Sequence, residues 1–321
     1  GSSVGLGKRL YKPDDFFALY NQVNYEHYIL QNYLLVPGFS NGTSNNLSFS
    51  GGTDNTSYYL SVGYTKQEGM LKTNTFTRAS ARLNLDQKIF EWLHVGTNTS
   101  YANNLNSGPQ SGSTGAAFAT AGVGRLPIVL PPNTAAFNPD GSYSTLGAGL
   151  GAWANLAPDT GTPLAVGYYN PVLILDKNTF TSEADQVQGS VYANFRIVKG
   201  LHFRTMYGID RLTIEDISFS TPLGGDGFST GGSATNTYAT RNRWNWQNTL
   251  SYSKDFNGHG IDVVAGLEYQ KTTIELLNAN GTNFADRFFM ENGLISVAGV
   301  ATYPNQFSGG RYIPTSFQST F

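Results

Sequence analysis

The chain has 321 residues, of which only 13% are charged, about half the share that is usual in a soluble globular protein. Its 20 basic and 22 acidic side chains give a formal net charge of −2. This balance offers no basic stripe for phosphate groups, so no nucleic acid partner is expected. The 37 Gly, 19 Tyr and 20 Phe suit twisted strands and long loops better than helices.

Several classes of site are excluded by composition and spacing. The chain has no cysteine, and its four histidines do not stand at ligand spacing. No nucleophile elbow and no pair of carboxylates can be placed together. We therefore predict no enzymatic activity, no cofactor and no metal site. No apolar run approaches the roughly 18 to 20 residues of a spanning helix, which excludes a helical membrane protein.

The predicted elements begin with strands that have one apolar and one polar face. Apolar and polar side chains alternate along residues 46–64, 78–86 and 93–101, with the period of two that a strand requires. In the second segment, Arg78 and Arg82 share the polar face. A polar face this consistent must meet water or other polar groups.

The clearest strand follows at 187–197. Two short turns, Lys199-Gly200 and Asn257-Gly258, then connect pairs of further strands into hairpins. We count eight such strands, and a ninth begins near Arg311. In the clearest strand, the side chains predicted to contact lipid are Val187, Val191, Phe195 and Ile197, and those predicted to face a lumen are Gln188, Tyr192, Asn194 and Arg196.

Strand length indicates the kind of β protein. Several segments exceed ten residues, whereas sandwich strands usually run about 5 to 6 and membrane-spanning strands about 9 to 11. Short turns alternate with long polar loops at 104–182 and 218–237, as on the periplasmic and extracellular sides of outer-membrane barrels. The predicted fold is all-β, an antiparallel transmembrane β-barrel portion of eight or nine strands with long extracellular loops.

The loop at 104–182 is the candidate functional segment, because a structureless connection of this length is usually functional. We expect its rings to contact substrate or a lid: Tyr143, Trp153, Tyr168 and Tyr169. The alternative is that these rings pack the loop on itself. A charged group at Asp210, Arg211, Glu215 and Asp216 is interpreted as a solvated rim at a strand end.

Residues 50–102 closely resemble SusC/RagA-type TonB-linked transporters. The motifs that carry the resemblance are Ser50-Gly51-Gly52, Gln67-Glu68-Gly69, Arg78-Ala79-Ser80-Ala81-Arg82 and Trp92-Leu93-His94-Val95-Gly96. Segments 137–143 and 170–172 are similar to the family's first long loop, and 189–204 and 250–270 to its next barrel strands. The resemblance covers roughly residues 46–321.

The resemblance implies nutrient import across the outer membrane of a Bacteroidetes-type bacterium, with an oligosaccharide or peptide as substrate. It also implies three partners: outer-membrane lipid, a SusD-like surface lipoprotein that closes the barrel, and the TonB-ExbB-ExbD complex. Such barrels have about 22 strands. Because neither a TonB box nor a plug is recognised, we expect the N-terminal part of a barrel, in which 46–321 form the partial barrel and 1–45 lead into it as a plug-barrel junction or first strand.

Two alternatives come from other classes. One is a secreted carbohydrate-binding β-sandwich module whose aromatic loops hold sugar. The other is a complete eight-stranded structural outer-membrane barrel. Alternation that persists over ten or more residues favours the transporter over the sandwich.

Overall fold

A computed structural model describes residues 42–69, 71–108, 136–138, 140–150, 169–256, 259–283 and 308–320. Its strands are β1 (Gly42–Gly52), β2 (Thr56–Glu68), β3 (Thr75–Phe90), β4 (Leu93–Ser107), β5 (Thr179–Val198), β6 (Leu201–Ser220), β7 (Ser233–Phe256), β8 (His259–Thr282) and β9 (Ser308–Thr320). Among the described residues, the α-helix α1 (Pro171–Lys177) precedes β5, and a 3-10 helix covers Gly225–Thr230. Within these ranges no helix is long and apolar enough to cross a membrane.

The nine strands form one sheet in which each strand pairs antiparallel with the next along the chain. This arrangement confirms the predicted antiparallel barrel portion. The sandwich alternative is wrong, because the described strands lie in one sheet rather than in two packed sheets. In the described part of the chain β1 and β9 do not pair with each other, so the sheet is open and is not a closed eight-stranded barrel.

Short and long connections lie at opposite ends of the sheet. The connections β1–β2, β3–β4, β5–β6 and β7–β8 span two or three residues at one end, and β2–β3, β4–β5, β6–β7 and β8–β9 make the longer loops at the other. The predicted loops at 104–182 and 218–237 were too long, since the strands shorten them to 108–178 and 221–232. The strand ends beyond the predicted limits consist mainly of Asn, Ser and Thr, so their apolar signal is weak. The division at residue 45 stays a prediction, with β1 starting at Gly42 and the preceding residues outside the described ranges.

The two faces of the sheet differ as the alternation predicts. On the apolar face Val191 and Ile197 leave 56% and 55% of their surface exposed, and no part of the chain that the structure describes packs over them. Strand neighbours of similar exposure on that face include Phe49, Leu60, Val62, Leu83, Tyr207, Ile209, Trp246, Leu250 and Val263. Such a face is stable only against another apolar medium, which in a transmembrane barrel is lipid.

The apolar face becomes polar towards the end that carries the long loops. Tyr101 donates a hydrogen bond to Asp185 at 2.7 Å, and Asn103 donates to Glu183 at 2.7 Å and to Asp185 at 3.0 Å. On the next strand Glu215 lies opposite Glu183. This acidic belt, defined as Glu183, Asp185 and Glu215, marks the upper limit of the apolar band.

Candidate functional site: the polar face and the loop cap

Antiparallel register brings five polar residues into one row across the polar face. Arg82 on β3 lies opposite Ser100 on β4, which lies opposite Gln188, then Asp210, then Arg243 on the following strands. Neighbouring strands are about 4.8 Å apart, so the two arginines are separated by about 19 Å along the row. The sheet thus places two guanidinium groups at the ends of a polar row with a carboxylate between them.

Asp210 is the fixed member of this row. Its side chain is only 9% exposed and lies 3.1 Å from the Arg243 guanidinium and 3.9 Å from that of Arg241. The Gln186 amide donates a third contact at 3.0 Å. The prediction that Asp210 belongs to a solvated rim is wrong, because β6 continues for ten residues beyond it to Ser220. A buried carboxylate needs such partners to offset the loss of water.

A polar depression of about 490 Å³ lies along the row. Polar side chains dominate its lining: Arg82, Asn84, Asn98, Ser100, Gln188, Ser190, Asp210, Arg243 and Asn245. Gly208 is required in the floor, because the Asn245 side chain lies over it at the place where a methyl group would overlap. Among the described residues, no hydrogen bond or ion pair is recorded for Arg82, which is exposed. The depression therefore presents one guanidinium that is available to a ligand.

A second polar contact crosses three strands. The Tyr192 hydroxyl on β5 donates a 2.6 Å hydrogen bond to Asp86 on β3, and its ring lies over Gly96 on the intervening β4. The Arg204 guanidinium stands 4.5 Å from the centre of the same ring. A cation over an aromatic ring is favourable, so these side chains form a continuous polar contact from β3 to β6.

The long loops form a loop cap, defined as residues 136–138, 140–150, 169–177 and 221–232. Asn170 is 1% exposed; its carboxamide oxygen accepts from the backbone amides of Val172 and Leu173, and its amide donates to the carbonyls of Ala136 and Ser144. An Asn cap followed by Pro at the first helical position favours a helix start at this point. The buried apolar side chains of the cap include Ala136, Leu150, Val172, Leu173, Ile174 and Leu175.

Two of the four predicted contact residues lie in the loop cap. Tyr143 donates to Asp176 at 3.0 Å, its ring centre is 5.3 Å from that of Phe137, and both rings pack on the buried cluster. Tyr169 is partly buried against the same cluster, and burial, followed by the charge of Asp226, raises the pKa of its phenol. Both contacts agree with the alternative that the rings pack the loop on itself. Trp153 and Tyr168 lie outside the described residues, so contact with substrate or a lid stays a prediction.

The loop is also more ordered than predicted. A helix and a buried cluster occupy part of a segment that was expected to be structureless. The signal in the sequence was the Asn170-Pro171 pair followed by four apolar residues. For the polar row the alternation predicted that Arg82 and Gln188 lie on polar faces, but not that they share a row with Asp210 and Arg243, because the row depends on the register between strands up to 161 residues apart in the chain. No group of three or more His, Asp or Glu side chains in the described ranges can hold a metal ion.

Comparisons with known proteins agree with this geometry. The chain is 27% identical over 283 residues to the TonB-dependent receptor P3 of Formosa agariphila, and 24% identical over 253 residues to the TonB-dependent receptor SusC of Bacteroides thetaiotaomicron. These alignments cover 84% and 71% of this chain but only 26% and 22% of the relatives. The structure of the RagAB peptide importer in its closed-closed state matches 91% of this chain and 30% of that one, with a TM-score of 0.66 and 23% identity.

The resemblance to SusC/RagA-type TonB-linked transporters is confirmed. No family model matches the chain. The sheet, with its apolar and polar faces, is a portion of a transmembrane barrel in the bacterial outer membrane. The chain spans about a quarter of the length of the SusC/RagA-type relatives it matches.

Proposed function

We propose that this chain is part of the barrel wall of a TonB-dependent nutrient importer of the SusC type. The substrate is an oligosaccharide or a peptide, a SusD-like surface lipoprotein closes the barrel, and TonB-ExbB-ExbD drives import through other parts of the full-length protein. The chain carries no catalytic role in this function, in keeping with relatives that are receptors rather than enzymes.

One observation carries the proposal: a single sheet joins a bare apolar face to a polar face with an open depression. Strands β5 to β8, each of 20 or 24 residues, keep this division along their central part. An apolar exterior suits lipid, and a polar interior suits a solute or a polar segment inside the barrel. The connections support an orientation in which short turns such as Lys199-Gly200 face the periplasm and the loop cap faces the cell surface.

Deletion of the full-length gene in its native bacterium tests the proposal. Growth should fail on one oligosaccharide or peptide source and stay normal on its monomers, and complementation should restore it. The affinity-tagged full-length protein should co-purify with a surface lipoprotein from detergent-solubilised outer membranes. Growth that is normal on every polymeric source tested, with no lipoprotein in the purified complex, would contradict the proposal.

Protease added to intact cells tests the orientation separately. We expect cleavage in the long loops at 108–178 and 221–232 and none at Lys199-Gly200 or Asn257-Gly258. Cleavage at Asn257-Gly258 with intact long loops would reverse the orientation.

A further inference from the structure

Arg82 is a charge on the polar face for which the described residues offer no counter-ion. Arg243, at the far end of the row, shares Asp210 with Arg241. The lining of the depression therefore holds two guanidinium groups and one carboxylate, and that carboxylate is already bonded. The unpaired charge in the lining is therefore the positive charge of Arg82, on the β3 side of the depression.

The position of Arg82 along β3 determines how strongly its charge is screened. Its neighbour Leu83 lies on the apolar face opposite Leu60, so Arg82 stands at a level where the outer face of the sheet is apolar. A charge beside a thick apolar layer is less screened than one at a solvated rim. A nearby anion therefore stabilises Arg82 more than it would stabilise an arginine in a surface loop.

The other groups of the depression fit a carboxylate. Guanidinium binds carboxylate through two parallel hydrogen bonds, and amide N–H groups can donate to the remaining lone pairs. Such amides are supplied by Asn84, Asn98 and Gln188. With a volume of about 490 Å³, the depression has room for more of the molecule than the carboxylate alone.

We propose that the depression binds a carboxylate group, with Arg82 as its main donor. The inference rests on the proposed function in one respect, that this face lines the interior of the barrel. The carboxylate can belong to the transported oligosaccharide or peptide, or to an Asp or Glu of another part of the full-length protein inside the barrel. Both sources present the same group to the same arginine.

Carbodiimide coupling in the full-length protein identifies the bound group. Arg82→Lys keeps the positive charge and introduces an amine, which carbodiimide joins to a carboxylate in direct contact. Arg78→Lys is the matched control, since Arg78 is also exposed on the polar face of β3 but lies outside the depression. Outer membranes from cells grown on the nutrient are treated with carbodiimide, and the linked peptides are identified by mass spectrometry.

The expected result is a link from the amine of Arg82→Lys that Arg78→Lys does not give. A nutrient adduct assigns the carboxylate to the substrate, and a link to an acidic residue outside residues 42–320 assigns it to another part of the protein. A link to Asp210 or Asp86 alone, or equal coupling at both positions, would overturn the proposal. Coupling is read without any import measurement, so this outcome is independent of whether the protein imports a nutrient.

Neutral substitutions give a second measurement. If the carboxylate belongs to the substrate, Arg82→Gln should weaken nutrient binding about tenfold and Arg78→Gln should not. If it belongs to the protein, Arg82→Gln should instead lower the thermal unfolding temperature of the full-length protein relative to Arg78→Gln. Binding and unfolding that are the same in the two variants would count against any bound carboxylate.

Discussion

Tyr192 reaches Asp86 across an intervening strand, with a 2.6 Å hydrogen bond that passes over the backbone of Gly96. The contact requires glycine, because a methyl group at this position would overlap the tyrosine ring. It joins β3 to β5 on the polar face, in addition to the backbone ladders through β4. The ring therefore fixes the local shape of the barrel wall.

Gly96→Ala should lower the free energy of unfolding by about 1 to 3 kcal/mol, because the Tyr192 ring must leave its position. Gly189→Ala is the matched control on the neighbouring strand, where the nearest atom to an added methyl group is Thr99 Oγ1 at 3.4 Å. Unfolding of the full-length protein by urea in lipid bilayers measures both variants. Equal stability of the two would show that the ring does not depend on Gly96.

Val191→Arg should destabilise the barrel by about 2 to 4 kcal/mol, since it places a charge against lipid near the middle of the apolar band. Ser190→Arg should cost much less, because Ser190 lines the polar depression on the opposite face. The same bilayer unfolding assay compares the two. Similar losses would mean that the assignment of faces is wrong.

Asn170→Ala should loosen the loop cap while leaving the strands folded. The substitution leaves the carbonyls of Ala136 and Ser144 without their donor and two backbone amides of α1 without their acceptor. Each buried group left unpaired costs about 1 to 3 kcal/mol. Limited proteolysis of intact cells should then cut the loop at 108–178 faster than in the parent protein. Asn138→Ala serves as control, since it removes an exposed contact to Ser142 and a longer, partly buried one to the Tyr143 carbonyl, and it should change the rate much less.

Alkaline pH should loosen the same cap through Tyr169. Because burial and the charge of Asp226 raise its pKa above that of the unfolded chain, the neutral phenol stabilises the fold below about pH 10, and this contribution is lost as the pH rises through the folded value. Subtilisin cleavage of the cap should therefore accelerate above that pH. The Tyr169→Phe variant has no phenol to ionise, so its cleavage should accelerate less at high pH. An identical pH profile of cleavage would show that Tyr169 is not the group responsible.

The four predicted contact residues can be tested together. Replacement of Tyr143, Trp153, Tyr168 and Tyr169 by Ala should reduce growth on the cognate nutrient at an unchanged amount of protein in the outer membrane. Because Tyr143 and Tyr169 pack on the buried cluster, the protease sensitivity of the cap must be measured in parallel. Normal growth with normal expression would remove these rings from the mechanism.

The strands and their faces could be predicted from sequence because the period of two is local. Val187 and Val191 indicate the lipid-facing side without knowledge of any partner strand, and Lys199-Gly200 indicates the turn. The limits of the strands were harder to predict. On the N-terminal side of Val187 the outer face of β5 carries Asp185 and Glu183. The apolar alternation therefore covers only part of the strand, which begins at Thr179.

The polar row could not be predicted for a different reason. Asp210 and Arg243 are 33 residues apart, and Arg82 joins them only through the register of the five strands β3 to β7. A slip of one residue at any pairing would turn one of these side chains to the opposite face. Sequence alone therefore gave the polarity of each face but not which charges meet on it.

The length of β7 and β8 sets how far this protein extends from the cell. Each has 24 residues, which at about 3.3 Å per residue and a tilt of about 40° gives a height of about 60 Å. The hydrocarbon band of an outer-membrane barrel takes up only about 25 Å of this height. Glu215 of the acidic belt lies in register with Tyr238, so only five residues of β7, about 13 Å of height, extend beyond the belt, and the larger part of the remaining wall lies on the side of the short turns. A nutrient would then first meet the loop cap, which so low a rim holds close to the level of the lipid head groups.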